Sequence, residues 1–186
     1  MTTYSIGRQE YFASVGKRAG IRETAELWLI RRNRSAANFS EQRLAGEREV
    51  EGKLEVQNYV SGKLRELTTL PLGWDGASGG PVAQEIADQA YRAIERIADS
   101  RTIYPFVTPG EEGSILFEWR AGVERLEIEF IPDEAPYVCY VDSDGLMRIQ
   151  GALGAGEIGY GELRRALAIL SSRIWSVNPG WKSLFS

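Results

Sequence analysis

Three sets of residues in this sequence are of types that can do chemistry. Glu118, Glu127 and Glu129 lie close together along the chain, and grouped carboxylates run acid–base catalysis or hold a divalent cation when a cleft perturbs their pKa values. Asp75, beside Trp74 in Gly73-Trp74-Asp75-Gly76, could act as an acid or a ligand presented on a loop. Gly154-Ala155-Gly156-Glu157-Ile158-Gly159 is a formal match to G-x-G-x-x-G, the spacing that lets a backbone approach a pyrophosphate.

Each set has a plainer reading. A dinucleotide site needs a parallel βαβ unit and a later strand carrying an acidic residue, whereas the residues before Gly154 read as an antiparallel meander and those after Gly159 as a helix and a tail. A flexible connector is therefore expected there. Asp-Gly is a common turn pair, because Asp bonds its own backbone and Gly accepts positive φ. Trp74 is expected to plug the gap between two helices or to cover the end of a sheet, its N–H on a loop carbonyl. Carboxylates interleaved with arginines on an open sheet face form cross-strand ion pairs, each worth only tenths of a kcal/mol. The chain has no histidine, so Ser-His and Cys-His nucleophile pairs and the usual zinc sets are ruled out. Neither a catalytic residue, a metal site nor a cofactor is expected, and the protein is read as non-enzymatic.

The elements that position these residues follow from periodicity. From Ser40 to about Leu67, Leu44, Val50, Leu54, Tyr59, Val60, Leu64 and Leu67 fall near helical spacing. Gly46, Gly52 and Gly62 argue against one continuous helix and restrict the expectation to about 53–67. The stretch Thr24 to Arg31 suits a buried strand or one helical turn. Pro81 suits a first helical turn, with Gly80 or Ser78 as cap, and Ile86, Ala90, Ala93, Ile94 and Ile97 then mark the apolar face of a helix over about 82–99. Tyr104 to Pro109, flanked by prolines, belongs at a sheet edge. Ser114 to Arg120 and Arg125 to Ile131 alternate with period two across Ala121 to Glu124, a hairpin pattern. That alternation puts Ile115, Phe117, Trp119, Leu126, Ile128 and Phe130 on one face and Glu118, Arg120, Arg125, Glu127 and Glu129 on the other. Tyr137 to Asp142 and Leu146 to Gln150 repeat the scheme, and a glycine-rich connector leads to a last helix over about 162–176. The fold expected is α+β: an antiparallel meander sheet of four to five strands with helices packed on one face.

At 186 residues, 43% hydrophobic and 26% charged, the chain has ordinary globular composition and the size of one domain. The net charge of −4 is unevenly spread. Residues 1–48 carry nine Lys/Arg against five Asp/Glu, about +4, and residues 49–186 carry thirteen against twenty-one, about −8. The division expected is a basic N-terminal arm, 1–48, ahead of a single α+β core, 49–186. The arm offers Arg18, Arg22, Arg31, Arg32 and Arg34 to phosphates if a nucleic acid is the partner. Cys139 is the single cysteine, which excludes an intramolecular disulfide, and it is expected to pack as a small buried hydrophobe. The first residues lack a signal-peptide pattern and the chain has no run of 18 apolar residues, so a cytoplasmic protein without a membrane partner is expected.

The stretch from Leu70 to about Asp142 resembles a group of small bacterial and phage proteins that share an LPxGWDG loop, an amphipathic helix, a short proline-containing strand and a strand ending in Glu-Trp. The matching residues here are Leu70-Pro71-Leu72-Gly73-Trp74-Asp75-Gly76, Pro105 to Pro109, Gly113 to Trp119 and Leu126 to Phe130. The resemblance implies an accessory or interaction factor of a mobile element, without catalytic residues to carry over.

Three functions are thus in play. The leading one is a protein-binding factor, such as an inhibitor, an antitoxin-like protein or an anti-defence protein. Its partner is another protein or a second copy of itself, met through Trp74, Asp75, Glu118, Arg120, Arg125, Glu127 and Glu129 and helped by exposed aromatics such as Trp181 and Phe185. The second is a nucleic-acid-binding accessory protein using the basic arm, and the third a carboxylate-dependent metal enzyme.

Overall fold

A computed structural model describes residues 25–76, 79–154 and 156–185, the side chains of 25–46 and of Glu111 excepted. Contacts divide the chain into two units, Met1–Ala45 and Gly46–Ser186. The described part of the first unit, residues 25–45, is helical and belongs to α1, Ala25–Thr68. The rest of the architecture lies in the second unit.

Helix α1 is continuous through Gly46, Gly52 and Gly62, so the expected start near residue 53 is corrected, as is the strand alternative over residues 25–31; Thr24 lies outside the described residues. A glycine inside a helix costs about 1 kcal/mol relative to alanine, and here packing offsets it. Val56, Val60, Leu64 and Leu67 form a buried stripe, and Gly52 continues that stripe one turn earlier, where a Cβ would come within 2.4 Å of the Ser100 carbonyl oxygen. Val50 and Leu54, which also fall near the helical spacing, are exposed.

Helix α2, Gln84–Ile97, begins later than its proline suggests. Ala83 is the N-cap, with no side-chain cap bond, so Gly80 does not cap the helix, and Ser78 lies outside the described residues. The apolar face is the one the spacing predicts, with Ala87 added: Ile86, Ala87, Ala90, Ala93, Ile94 and Ile97 are all buried. Helix α3, Tyr160–Val177, buries Leu163, Ala166, Leu167 and Leu170. Beyond it a 3-10 turn, Trp181–Phe185, closes the chain.

Between α2 and α3 run five strands: β1 Phe106–Pro109, β2 Ile115–Ala121, β3 Glu124–Phe130, β4 Tyr137–Val141 and β5 Met147–Ala152. They form one antiparallel meander in the order β1-β2-β3-β4-β5. Proline cannot donate to a ladder, and Pro109 sits in the edge strand β1, as its flanks lead one to expect. The β2–β3 hairpin turns on two residues, Gly122 and Val123. Gly122 has φ 68°, and a glycine at the first central position suits the tight turns whose twist matches that of the strands. The class is α+β.

The period-two alternation assigns the faces. Ile115, Phe117 and Trp119 on β2, and Leu126, Ile128 and Phe130 on β3, are buried and join the buried residues of the three helices in one hydrophobic cluster. Each such side chain contributes about 1.5–3 kcal/mol by leaving water. Buried hydrogen bonds tie the layers: Trp119 Nε1 donates to the Ile103 carbonyl at 3.0 Å, and the Ile103 N–H donates to Ser171 Oγ at 3.4 Å. No described helix is long and apolar enough to cross a membrane.

Candidate functional site

The outer face of the sheet carries the charged residues singled out from the sequence, but pairs them differently. In the β2–β3 register Glu118 stands opposite Glu127, and Arg120 opposite Arg125. Like charges therefore face each other across the strands, and the ion pairs run along them: Arg120 reaches Glu118 within β2, and Arg125 Nε lies 3.6 Å from Glu127 Oε1 within β3. The expected cross-strand pairs are corrected accordingly. The result is a face with an acidic region, Glu118, Glu127 and Glu129, and a basic end, Arg120 and Arg125, beside the hairpin turn.

The acidic region leads to the GWDG loop. Ser114 Oγ donates to Glu129 Oε1 at 3.1 Å. Gly110, where a Cβ would meet Ser114 Oγ at 2.2 Å and Glu129 Oε1 at 3.7 Å, lines a cavity of about 550 Å³ shared with Trp74, Asp75 and Glu112. The loop holds its own shape. The Gly73 N–H donates to the Gly79 carbonyl at 2.6 Å, the Gly79 N–H to Asp75 Oδ1 at 3.0 Å, and Trp74 Nε1 to the Gly80 carbonyl at 3.0 Å. The loop-carbonyl partner expected for Trp74 is present. Asp75 thus accepts from its own loop backbone, and Trp74 is half-buried outside the core cluster, so it wedges its own loop instead of plugging a helix gap.

At the basic end a second cavity, about 360 Å³, opens between the start of β1, the hairpin turn, the end of α3 and the terminal 3-10 turn. Its wall is aromatic. Tyr104 meets Trp181 edge to face at 4.9 Å, Trp181 meets Trp175 at 5.6 Å, and Tyr59 of α1 stacks on Tyr104 at 4.3 Å. Trp181, expected to be exposed, is 1% exposed, and Phe185 is half-buried. Trp74, Trp119 and Trp175 each donate their indole N–H to a carbonyl, whereas that of Trp181 is buried without a hydrogen-bond partner. Arg120 and Arg173 line this cavity, and no acidic residue does.

Beside it lies a buried carboxylate that the sequence reading assigned to a turn. Glu124 is 1% exposed; its Oε1 accepts from the Tyr140 hydroxyl at 2.6 Å, and its Oε2 lies 3.1 Å from Arg173 Nη1. Period-two counting back from Phe130, Ile128 and Leu126 lands on Glu124, which is the signal that could have found it. Cys139 also departs from expectation. Between the buried Val138 and Tyr140 it points to the outer face, half-buried, with Sγ 3.5 Å from Met147 Sδ. Burial first, and then the Glu127 carboxylate, push its thiol pKa up, which lowers its thiolate fraction.

The Gly154 to Gly159 segment follows an antiparallel edge strand, with Ala152 donating to Glu157 Oε2 at 2.9 Å and Leu153 bridging Ile158. Among the described residues no group of three or more His, Cys, Asp or Glu is placed to hold a metal. Arg18 and Arg22 lie outside the described residues; Arg31, Arg32 and Arg34 are on α1, and their side chains lie outside them too. No protein-family model, curated protein or solved structure matches this chain.

Proposed function

We propose that this protein is a non-enzymatic binding factor whose partner is a protein with a basic surface, held by the outer sheet face and the GWDG loop. The observation that carries the reading is the like-with-like register of β2 and β3. Like charges directly opposite each other weaken a sheet, the ion pairs along each strand return only tenths of a kcal/mol, and residues that break a folding rule tend to be functional. Opposed carboxylates gain stabilisation when a partner inserts cations between them, and the complementary field also speeds encounter. The preformed GWDG loop adds a polar concavity at the acidic side of the face, bounded by Trp74 and Asp75. An inhibitor or antitoxin-like role is one that such a face can fill, by covering a basic functional surface on its target.

The test uses the purified protein as bait in native lysate, with Glu127→Lys/Glu129→Lys as the paired control. A stoichiometric partner, or a second copy of the chain, that is released by salt and lost with the double variant at unchanged melting temperature is the expected result. A wild-type monomer that retains nothing, or capture indifferent to the charge reversals, overturns the reading.

A further inference from the structure

The aromatic cavity at the basic end is distinct from the acidic region in chemistry and in lining. We propose that it binds an apolar carboxylate, either an aromatic acid or a medium-length fatty acid, of about a dozen non-hydrogen atoms. The size follows from the volume: about 360 Å³ holds about a dozen atoms at roughly 30 Å³ each, the share of one water in the liquid. That is also within the range of small-molecule pockets.

The lining sets the chemistry. Trp119, Trp181, Tyr104 and Phe185 offer ring faces and edges, which favour an apolar or aromatic body. Three large apolar side chains, Phe106, Val177 and Leu184, stand at the rim with 45%, 80% and 64% exposure. Their convergence on one opening makes an apolar patch of the kind that marks a binding site. The Trp181 nitrogen is itself buried, so polar recognition falls to the uncharged amide of Asn178 and to the two cations, Arg120 and Arg173. Each guanidinium has five N–H donors and contacts one carboxylate, Glu118 or Glu124, which leaves donors for a ligand. With two arginines and no acidic residue in the lining, an anionic head is favoured over a neutral or cationic one. The flat, forked guanidinium also matches a carboxylate in two-point geometry.

The test is titration of the full chain with decanoate and with indole-3-acetate, read by tryptophan fluorescence and calorimetry, with decylamine and tryptamine as cationic counterparts. Saturable one-to-one binding of at least one carboxylate, with its amine counterpart about tenfold weaker or more, is expected from a charge-assisted contact. Arg120→Gln, which removes the guanidinium beside the half-buried Glu118, should weaken the carboxylate by a similar factor. Ala121→Phe, which narrows the opening, should abolish binding while the melting temperature holds. Glu127→Lys/Glu129→Lys should leave carboxylate binding intact, so this site and the protein-binding face succeed or fail separately. Absence of saturable carboxylate binding, equal binding of the amines, or an Ala121→Phe effect confined to capture of a protein partner would overturn the assignment.

Discussion

The Tyr140 hydroxyl donates to Glu124 Oε1 at 2.6 Å, joining β4 to the first residue of β3 on the buried face of the sheet. This bond, with Arg173 on the other oxygen, is what allows a carboxylate to stand at 1% exposure, because a buried charge without partners is strongly disfavoured. Tyr140→Phe should cost about 1–3 kcal/mol, the penalty for leaving a buried acceptor unsatisfied, measured by denaturant unfolding.

The same pair makes stability depend on alkaline pH. Burial first, and then the bond to Glu124, push the Tyr140 pKa far above its ordinary 10.0. The folded state keeps the proton when the unfolded chain begins to release it, so the contribution is complete below about pH 10. It is lost as pH rises from there toward the raised value. Tyr59, raised by burial, and Lys182, raised by its bond to Glu55, act in the same direction. The decisive comparison is therefore between wild type and Tyr140→Phe, whose stability should fall less steeply above pH 10.

Two glycines of α1 should respond with opposite signs to the same substitution. Gly62→Ala meets no atom within 4 Å and should stabilise by about 0.5–1 kcal/mol through helix propensity. Gly52→Ala places a Cβ against the Ser100 backbone, and the forced separation should outweigh that gain and lower the melting temperature. Stabilisation by both would show that the approach of α1 to Ser100 is looser than described.

The tryptophans of the core offer a matched pair. Trp119→Phe leaves the buried Ile103 carbonyl without its donor, whereas Trp181→Phe removes an N–H that has no hydrogen-bond partner. Trp119→Phe should be the costlier by about 1–3 kcal/mol, and equal losses would mean that the Trp181 N–H has a partner after all.

Trp74→Phe should cost about 1 kcal/mol, the worth of its bond to the Gly80 carbonyl. Thermal melts should show a small shift, since Trp74 sits outside the core cluster. A collapse of stability would instead place this ring among the main supports of the fold.

Much of the architecture was legible because it rests on local period. Ile115, Phe117 and Trp119 alternate with Leu116, Glu118 and Arg120, and Ile86 to Ile97 recur at helical spacing, so the hairpin and α2 could be read from the chain. What could not be read depends on distant neighbours. Nothing near Gly52 in sequence announces Ser100, and the start of α2 slid past Pro81 because loop hydrogen bonds, not a side-chain cap, hold the segment before it. The charged residues were found but not their pairing, since alternation fixes the face of a side chain and leaves its cross-strand partner to the turn. The aromatic cavity went unseen for the same reason: Tyr104, Trp119, Arg173 and Trp181 come from four separate segments.

The register of β2 and β3 is, in landscape terms, a locally frustrated one. Sliding β3 by two residues would keep Leu126, Ile128 and Phe130 facing inward, since side chains alternate with period two, and would set Glu118 opposite Arg125, an attractive pair. The two-residue turn at Gly122 and Val123 forbids the slide. The hairpin therefore folds into the pairing its turn dictates, against the preference of its cross-strand charges, and the neutralising contacts are left to run along each strand, Arg120 to Glu118 and Arg125 to Glu127.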